Sequence, residues 1–213
     1  MSGPAEAKRP LFIVFEGMDG SGKTTQIDLL AARLRAAGRP VVTTAEPTDG
    51  PIGSLLRQML RGRVTAEETA IAALFAADRL DHINHPTDGM RALRARGYDV
   101  ISSRYYFSSL AYQGGLTPRA WVADLNRLAR EQYPADLTIF LDLEPEESMR
   151  RITAGRASTE RYETLDRLTR VRAGFLAAFE DFGQGERIVV VDGSGGVEEV
   201  AEVVWGEVER VGV

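Results

Sequence analysis

The chain has 213 residues, 44% hydrophobic and 27% charged, with a formal net charge of −5, which is enough for one domain with a core of its own. It has no cysteine, which excludes disulfides and cysteine-bearing metal sites. The acidic balance argues against a nucleic-acid partner, no apolar run approaches the ~18 residues of a membrane span, and the N-terminus lacks the apolar core of a secretion signal, so a protein of the reducing cytoplasm is expected.

Residues 1–10, MSGPAEAKRP, read as a disordered tail. LFIVFE (11–16) is a short run of β-branched and aromatic residues ending at Gly17, the pattern of a buried strand. A helix comes next, with Ile27, Leu30 and Leu34 at helical spacing and Gly38 as its stop. PVVTTAE (40–46) predicts a second strand, and Pro47, Gly50 and Pro51 a loop. Helices are expected over 51–61 and 65–83, with Pro86 splitting the stretch up to Arg96. YDVIS (98–102) is the third strand, and a helical region over 104–131 is interrupted near Gly114, Gly115 and Pro118. DLTIFLDL (136–143) is the fourth strand, helices are expected over 145–155 and 163–182, and ERIVVVDG (186–193) is the fifth strand before a closing helix. Apolar strands alternating with helices predict an α/β fold of three layers, a five-stranded parallel sheet covered on both faces, in a single domain over 11–213.

Gly17 to Thr24 fits G-x-x-x-x-G-K-[ST] between a strand and a helix, the context in which that pattern binds phosphate. Gly17, Gly20 and Gly22 let backbone N–H groups turn inward around phosphate oxygens, and the helix adds its positive end. Lys23 reaches the β- and γ-phosphates, and the Thr24 hydroxyl suits Mg²⁺. The expected ATP-binding residues are therefore Gly17, Met18, Asp19, Gly20, Ser21, Gly22, Lys23, Thr24 and Thr25. The chain has no N-K-x-D base-reading motif of a GTPase, and a motor ATPase is usually larger, which leaves a small kinase.

Three stretches suggest an acceptor site. Phe75 and Arg79 lie at i and i+4, so a ring and a guanidinium share one helix face and suit a stacked, hydrogen-bonded base. The plainer reading is a core ring beside a surface arginine. Arg104 stands at the C-terminal end of the third strand, where open α/β sheets bind ligands, with Ser109, Tyr112 and Gln113 after it. GRASTERYE places Arg156 and Arg161 between two helices, against the alternative of a solvated charged loop.

Together these stretches resemble the thymidylate kinase family. The opening F-I-x-x-E-G-x-D-G-x-G-K-T-T is matched from Phe12 to Thr25, E-P at Glu46 and Pro47, L-F-A-A-D-R-x-x-H from Leu74 to His82, and R-Y-x-x-S-S-x-A-Y-Q-G from Arg104 to Gly114. The family's D-R-[FY]-E appears as Glu160 to Glu163. The resemblance implies transfer of the γ-phosphate of ATP to dTMP with Mg²⁺, in a homodimer, with a short lid at about 153–163. It implies that Phe75 stacks on thymine, that Arg79, Ser109 and Gln113 recognise the base, and that Arg57 and Arg104 hold the acceptor phosphate. It also puts Asp19 near the 3′-hydroxyl, Tyr112 by the sugar, and Glu46 and Pro47 at the acceptor site. The phosphate loop carries no arginine, so the transition-state charge is expected from lid residues Arg156 and Arg161, beside Lys23, Arg104 and Asp19.

Two positions depart from the family pattern. Ser103 stands where an aspartate usually precedes the arginine, and Ala45 where many bacterial members have arginine. Asp142 is a possible substitute carboxylate for the metal, or a structural residue. His82 and His85 do not make a metal pair and are expected to pack or lie at the surface. Two other readings remain: a nucleoside kinase on the same fold, which would need a carboxylate base near a 5′-hydroxyl, and a nucleotide-binding protein that has lost turnover.

Overall fold

The computed structural model describes residues 9–155 and 164–213. The tail's first eight residues, Arg156, Arg161 and the 160–163 match lie outside the described residues. The strands are β1 (Phe12–Glu16), β2 (Val41–Ala45), β3 (Asp99–Ser103), β4 (Leu137–Asp142) and β5 (Ile188–Asp192), in one parallel sheet of order β2-β3-β1-β4-β5. The expected five-stranded α/β sheet is therefore present.

β1 is central and buried throughout, and its apolar run has a simple cause. Phe12 and Val14 point into one core, and Ile13 and Phe15 into the other. A strand covered on both faces has no polar face to alternate with. Helices α1 (Lys23–Ala36) and α10 (Val197–Glu209) cover one face, through Ile27, Leu30 and Leu34 and through Val200, Val204 and Val208.

The other face is covered by α3 (Glu68–Asn84), α4 (Met90–Ala95), α5 (Tyr106–Tyr112), α6 (Arg119–Leu125), α7 (Arg127–Gln132), α8 (Pro145–Gly155) and α9 (Leu165–Phe182). A further helix, α2 (Pro51–Leu60), packs on α3 through Leu56, Met59 and Ile71. The interruption expected within 104–131 appears as the breaks between α5, α6 and α7.

α9 packs closely on α5 at Gly174. A Cβ there would lie 2.7 Å from the Ala111 carbonyl oxygen and 3.0 Å from its Cα. Backbone cannot yield as a side-chain tip can. Gly174→Ala gains helix propensity of up to about 1 kcal/mol but forces the helices apart at an overpacking cost of about 1–3 kcal/mol. A net loss of about 1 kcal/mol is expected by thermal or urea melting. The same variant should raise the KM for any ligand held by α5.

Candidate active site

The C-terminal ends of β1 and β3 and the first turns of α1 and α5 meet at one point, where open α/β sheets bind ligands. The loop after β1 turns through Gly17, Gly20 and Gly22, at φ of 147°, 78° and 92°. A Cβ on Gly17 would fall 2.7 Å from Ser21 Oγ and 2.8 Å from the Leu141 carbonyl oxygen, so the tight turn excludes a side chain. The Ser148 hydroxyl of α8 donates to the Asp19 carbonyl at 2.5 Å and ties the loop to that helix.

Lys23 is buried, and its Nζ donates to the Gly17 and Met18 carbonyls at 3.0 and 2.7 Å. Burial, and then the positive charge of Arg104, push this ammonium down to about 7. Ser21 Oγ is buried and finds no hydrogen-bond partner. Loop carbonyls thus hold a lysine that burial and Arg104 push towards neutrality, a state that a phosphate anion would oppose.

Arg104 sits just past β3 at φ 72°, in the left-handed region that a non-glycine residue adopts at a cost of about 1–2 kcal/mol. Its Nη2 donates to Asp19 Oδ1 at 2.6 Å, and its Nη1 to the Gly17 carbonyl and Ser108 Oγ, both at 3.2 Å. The guanidinium lies over the Tyr112 ring, 4.9 Å from its centroid. Burial works against its charge, but Tyr112, Asp19 and Glu16 more than offset that and keep it protonated. Burial likewise pushes the Tyr112 phenol up, so its hydroxyl stays a donor, directed to Asp19 Oδ2 at 3.4 Å.

Glu16 supports this corner from beneath. Its fully buried carboxylate accepts from Tyr105 N, Ser108 N and the Ser108 hydroxyl at 2.9, 3.1 and 2.6 Å. Burial raises its pKa, while Ser108 and Arg104 oppose that shift. A residue of β1 thereby caps α5, the helix carrying Ser109 and Tyr112.

Two clefts meet here. The larger, about 790 Å³, is lined by Asp19 to Gln26, Ser103, Arg104, Arg151 and the segment after β5. Gly17 and Met18 contribute carbonyls beneath it, and Asp19 is its one acidic lining residue among those described. Arg151, whose Nη1 donates to the Gly193 carbonyl at 3.1 Å, and Gly193 and Gly195 themselves carry no motif and were not foreseen in the sequence. The smaller cleft, about 150 Å³, is lined by Asp19, Glu46, Pro47, Phe75, Arg79, Arg104, Ser109, Tyr112 and Gln113, with Leu60, Ser108 and Arg167 as additions. Asp19 and Arg104 line both.

Arg79 is no surface arginine: it is 1% exposed. Its Nε and Nη2 grip Glu46 Oε2 at 2.8 and 2.7 Å, its Nη1 meets Ser109 Oγ and Asn126 Oδ1, and its Nη2 also reaches the Tyr105 carbonyl. Four hydrogen bonds and the Nη2–Glu46 ion pair occupy this group, so a ligand meeting it must share or displace one of these contacts. Gln113 Oε1, by contrast, is buried without a partner beside the same cleft. Arg57 lies outside the lining, where its Nη1 donates to the Pro47 and Thr48 carbonyls at 2.9 and 2.5 Å.

Asp142 does not offer a metal a free carboxylate. Arg172 takes both its oxygens, Nε to Oδ1 at 2.7 Å and Nη2 to Oδ2 at 2.9 Å, so it braces β4 against α9. His82 is buried in hydrogen bonds and His85 is exposed beside Asp88. The described residues hold no group of three or more His, Asp or Glu placed to bind a metal.

A phosphate loop after the central strand, opening into two clefts that share one arginine and one aspartate, defines a P-loop protein built to pass a phosphoryl group between two ligands. The thymidylate kinase family model matches residues 15–204, and the chain belongs to that family. It is 42% identical to the thymidylate kinase of Thermomicrobium roseum, over 94% of this chain and 95% of that one. It is 38% identical to the thymidylate kinase of Solidesulfovibrio magneticus, over 94% of this chain and all of that one. It is 37% identical to a probable thymidylate kinase of Thermococcus gammatolerans, over 94% and 96% of the two chains.

Proposed function

We propose that this chain is a dTMP kinase, which transfers the γ-phosphate of ATP to the 5′-phosphate of dTMP and releases dTDP and ADP. The observation that carries the reading is the pair of clefts joined at Asp19 and Arg104. The larger takes the triphosphate on its loop, and the smaller takes the nucleoside monophosphate against Phe75. An oxygen of the acceptor phosphate forms the new bond to Pγ as the bond from Pγ to the bridging oxygen of ADP breaks. That acceptor oxygen is already ionised, so no side chain need remove a proton; a nucleoside kinase would need a carboxylate base, and the cleft's Asp19 and Glu46 are both bonded to arginines.

Lys23 and Arg104 hold the transferring and acceptor phosphates, and Arg57 joins them when it exchanges its carbonyl partners for phosphate. Arg156 and Arg161, outside the described residues, are assigned the transition-state charge. Thr24, exposed at the first turn of α1 in the larger cleft, fits Mg²⁺ together with nucleotide oxygens, since that ion takes few protein ligands. Bound there, Mg²⁺ would offset charge on the β- and γ-oxygens. The same reading gives a single domain over 11–213 acting as a cytoplasmic homodimer, without nucleic-acid or membrane partners. No helix among the described residues is long and apolar enough to cross a membrane.

ADP formation with dTMP, dUMP, dCMP, dGMP and thymidine as separate acceptors tests the assignment. Strong turnover on dTMP, less on dUMP and none on thymidine is expected. Tight dTMP binding without turnover would instead leave a nucleotide-binding protein that has lost catalysis.

The lysine gives a second test. At pH 8 an ammonium held at about 7 is mostly neutral in the free protein, and a triphosphate raises its pKa and reprotonates it. Nucleotide binding at pH 8 should take up close to one proton, measured by calorimetry in buffers of different ionisation enthalpy. Uptake should fade towards pH 6, where the lysine is already charged, and affinity should fall as pH rises from 7 to 9. Lys23→Met should abolish the uptake.

A further inference from the structure

His82 is a buried titratable side chain left without a task by the chemistry above. It lies three residues after Arg79 on α3, and its side chain is 8% exposed. Its Nδ1 lies 3.0 Å from Glu46 Oε1 and its Nε2 2.7 Å from Thr44 Oγ1. The other carboxylate oxygen, Glu46 Oε2, is the one gripped by Arg79.

The network fixes the ring's tautomer. An ionised carboxylate only accepts, so the proton facing Glu46 is on Nδ1. A neutral ring then accepts at Nε2 from the Thr44 hydroxyl. Glu46 is held on one oxygen by a guanidinium and on the other by an imidazole, both from one helix. His85, exposed against Asp88, has no such place.

We infer that His82 is a positioning residue of the acceptor site: by holding Glu46 through the oxygen that Arg79 does not use, it fixes the plane of the carboxylate–guanidinium pair lining that cleft. Without the Nδ1 donor, Glu46 Oε1 is left buried and unpaired. The carboxylate can then rotate, and Arg79 must move with it or lose its paired contact. Through Arg79 Nη1 the disturbance reaches Ser109 Oγ at 3.1 Å. Glu46, Arg79 and Ser109 line the smaller cleft, and none of them lines the larger one. The effect should therefore be one-sided, weakening the acceptor and sparing the phosphate donor. A merely structural histidine would not discriminate between two substrates.

The inference rests on the assignment of dTMP to the smaller cleft, and the test separates the two. His82→Leu fills the space without a donor and should raise the KM for dTMP about 10-fold, with the KM for ATP within about 2-fold, as expected for a lost hydrogen bond to a charged group. His82→Asn, whose amide nitrogen stands near the place of Nδ1, should remain within about 3-fold of wild type. His82→Gln carries its amide beyond Glu46 and should behave as the leucine variant does, so it decides the matter if His82→Leu does not fold. Calorimetric dTMP binding should rank the variants in the same order. An unchanged dTMP KM in the leucine or glutamine variant, or parallel rises for both substrates, would overturn the role. Wild-type protein inert towards dTMP would overturn the substrate assignment instead, and dTMP binding in the variants would still decide the role of His82.

Discussion

Replacing Arg104 with glycine is expected to lower kcat by about 10³-fold, the lower end of what an arginine that stabilises the transferring phosphoryl charge contributes in P-loop NTPases, while leaving the fold intact. Glycine is the informative choice because the position has φ 72°. It relieves a left-handed conformation worth about 1–2 kcal/mol, which offsets much of what the lost contacts to Gly17, Asp19 and Ser108 contribute to stability. Thermal stability should therefore stay within about 1 kcal/mol of wild type. Arg104→Lys keeps the charge and the strain but loses the fork that reaches two clefts at once, and should fall between, at about 10²-fold. Steady-state kinetics beside thermal melts make the test. A glycine variant retaining a tenth or more of wild-type kcat would remove Arg104 from the transfer machinery and leave it a structural pin between the loop and β3.

This residue shows what the sequence carried and what it could not. Its place at the end of the third strand was legible because apolar runs and glycine or proline punctuation mark strand ends. The phosphate loop was legible because its spacing is local. Arg79 was harder. Position i+4 from Phe75 gives a shared helix face, but not that the guanidinium is buried on Glu46, 33 residues away. Glu16 reads as the last residue of a strand, and its service as a buried cap for α5 depends on β1 and β3 pairing side by side. Arg151 of α8 and Gly193 after β5 meet at the larger cleft through one hydrogen bond between positions 42 residues apart. A periodicity can say that a position is inward. It cannot say which distant polar group it will meet there, and the chemistry of a site consists largely of such meetings.

Neutralising Asp99 should produce the largest loss of stability, at the end of the sheet remote from the clefts. Asp99 opens β3 and is 1% exposed, and Arg39, just before β2, is 8% exposed. They meet in a two-pronged pair, Nε to Oδ2 at 2.5 Å and Nη2 to Oδ1 at 2.7 Å. Asp99 Oδ1 also accepts from Leu11 N at 2.8 Å, and Arg39 Nη2 donates to the Arg9 carbonyl at 2.9 Å. One pair thus joins the starts of β1, β2 and β3. Removing one member leaves the other's charge buried and uncompensated, which costs about 3–5 kcal/mol. For a chain of this size that corresponds to a fall in Tm of roughly 6–20 °C. Asp99→Asn should show this loss with kcat unchanged at 25 °C, because the pair touches neither cleft. The double variant Arg39→Met with Asp99→Leu should recover part of the loss, since an apolar pair needs no counter-charge. A single variant that melts within about 2 °C of wild type would mean that water reaches the pair and that the three strand starts are held together by packing alone.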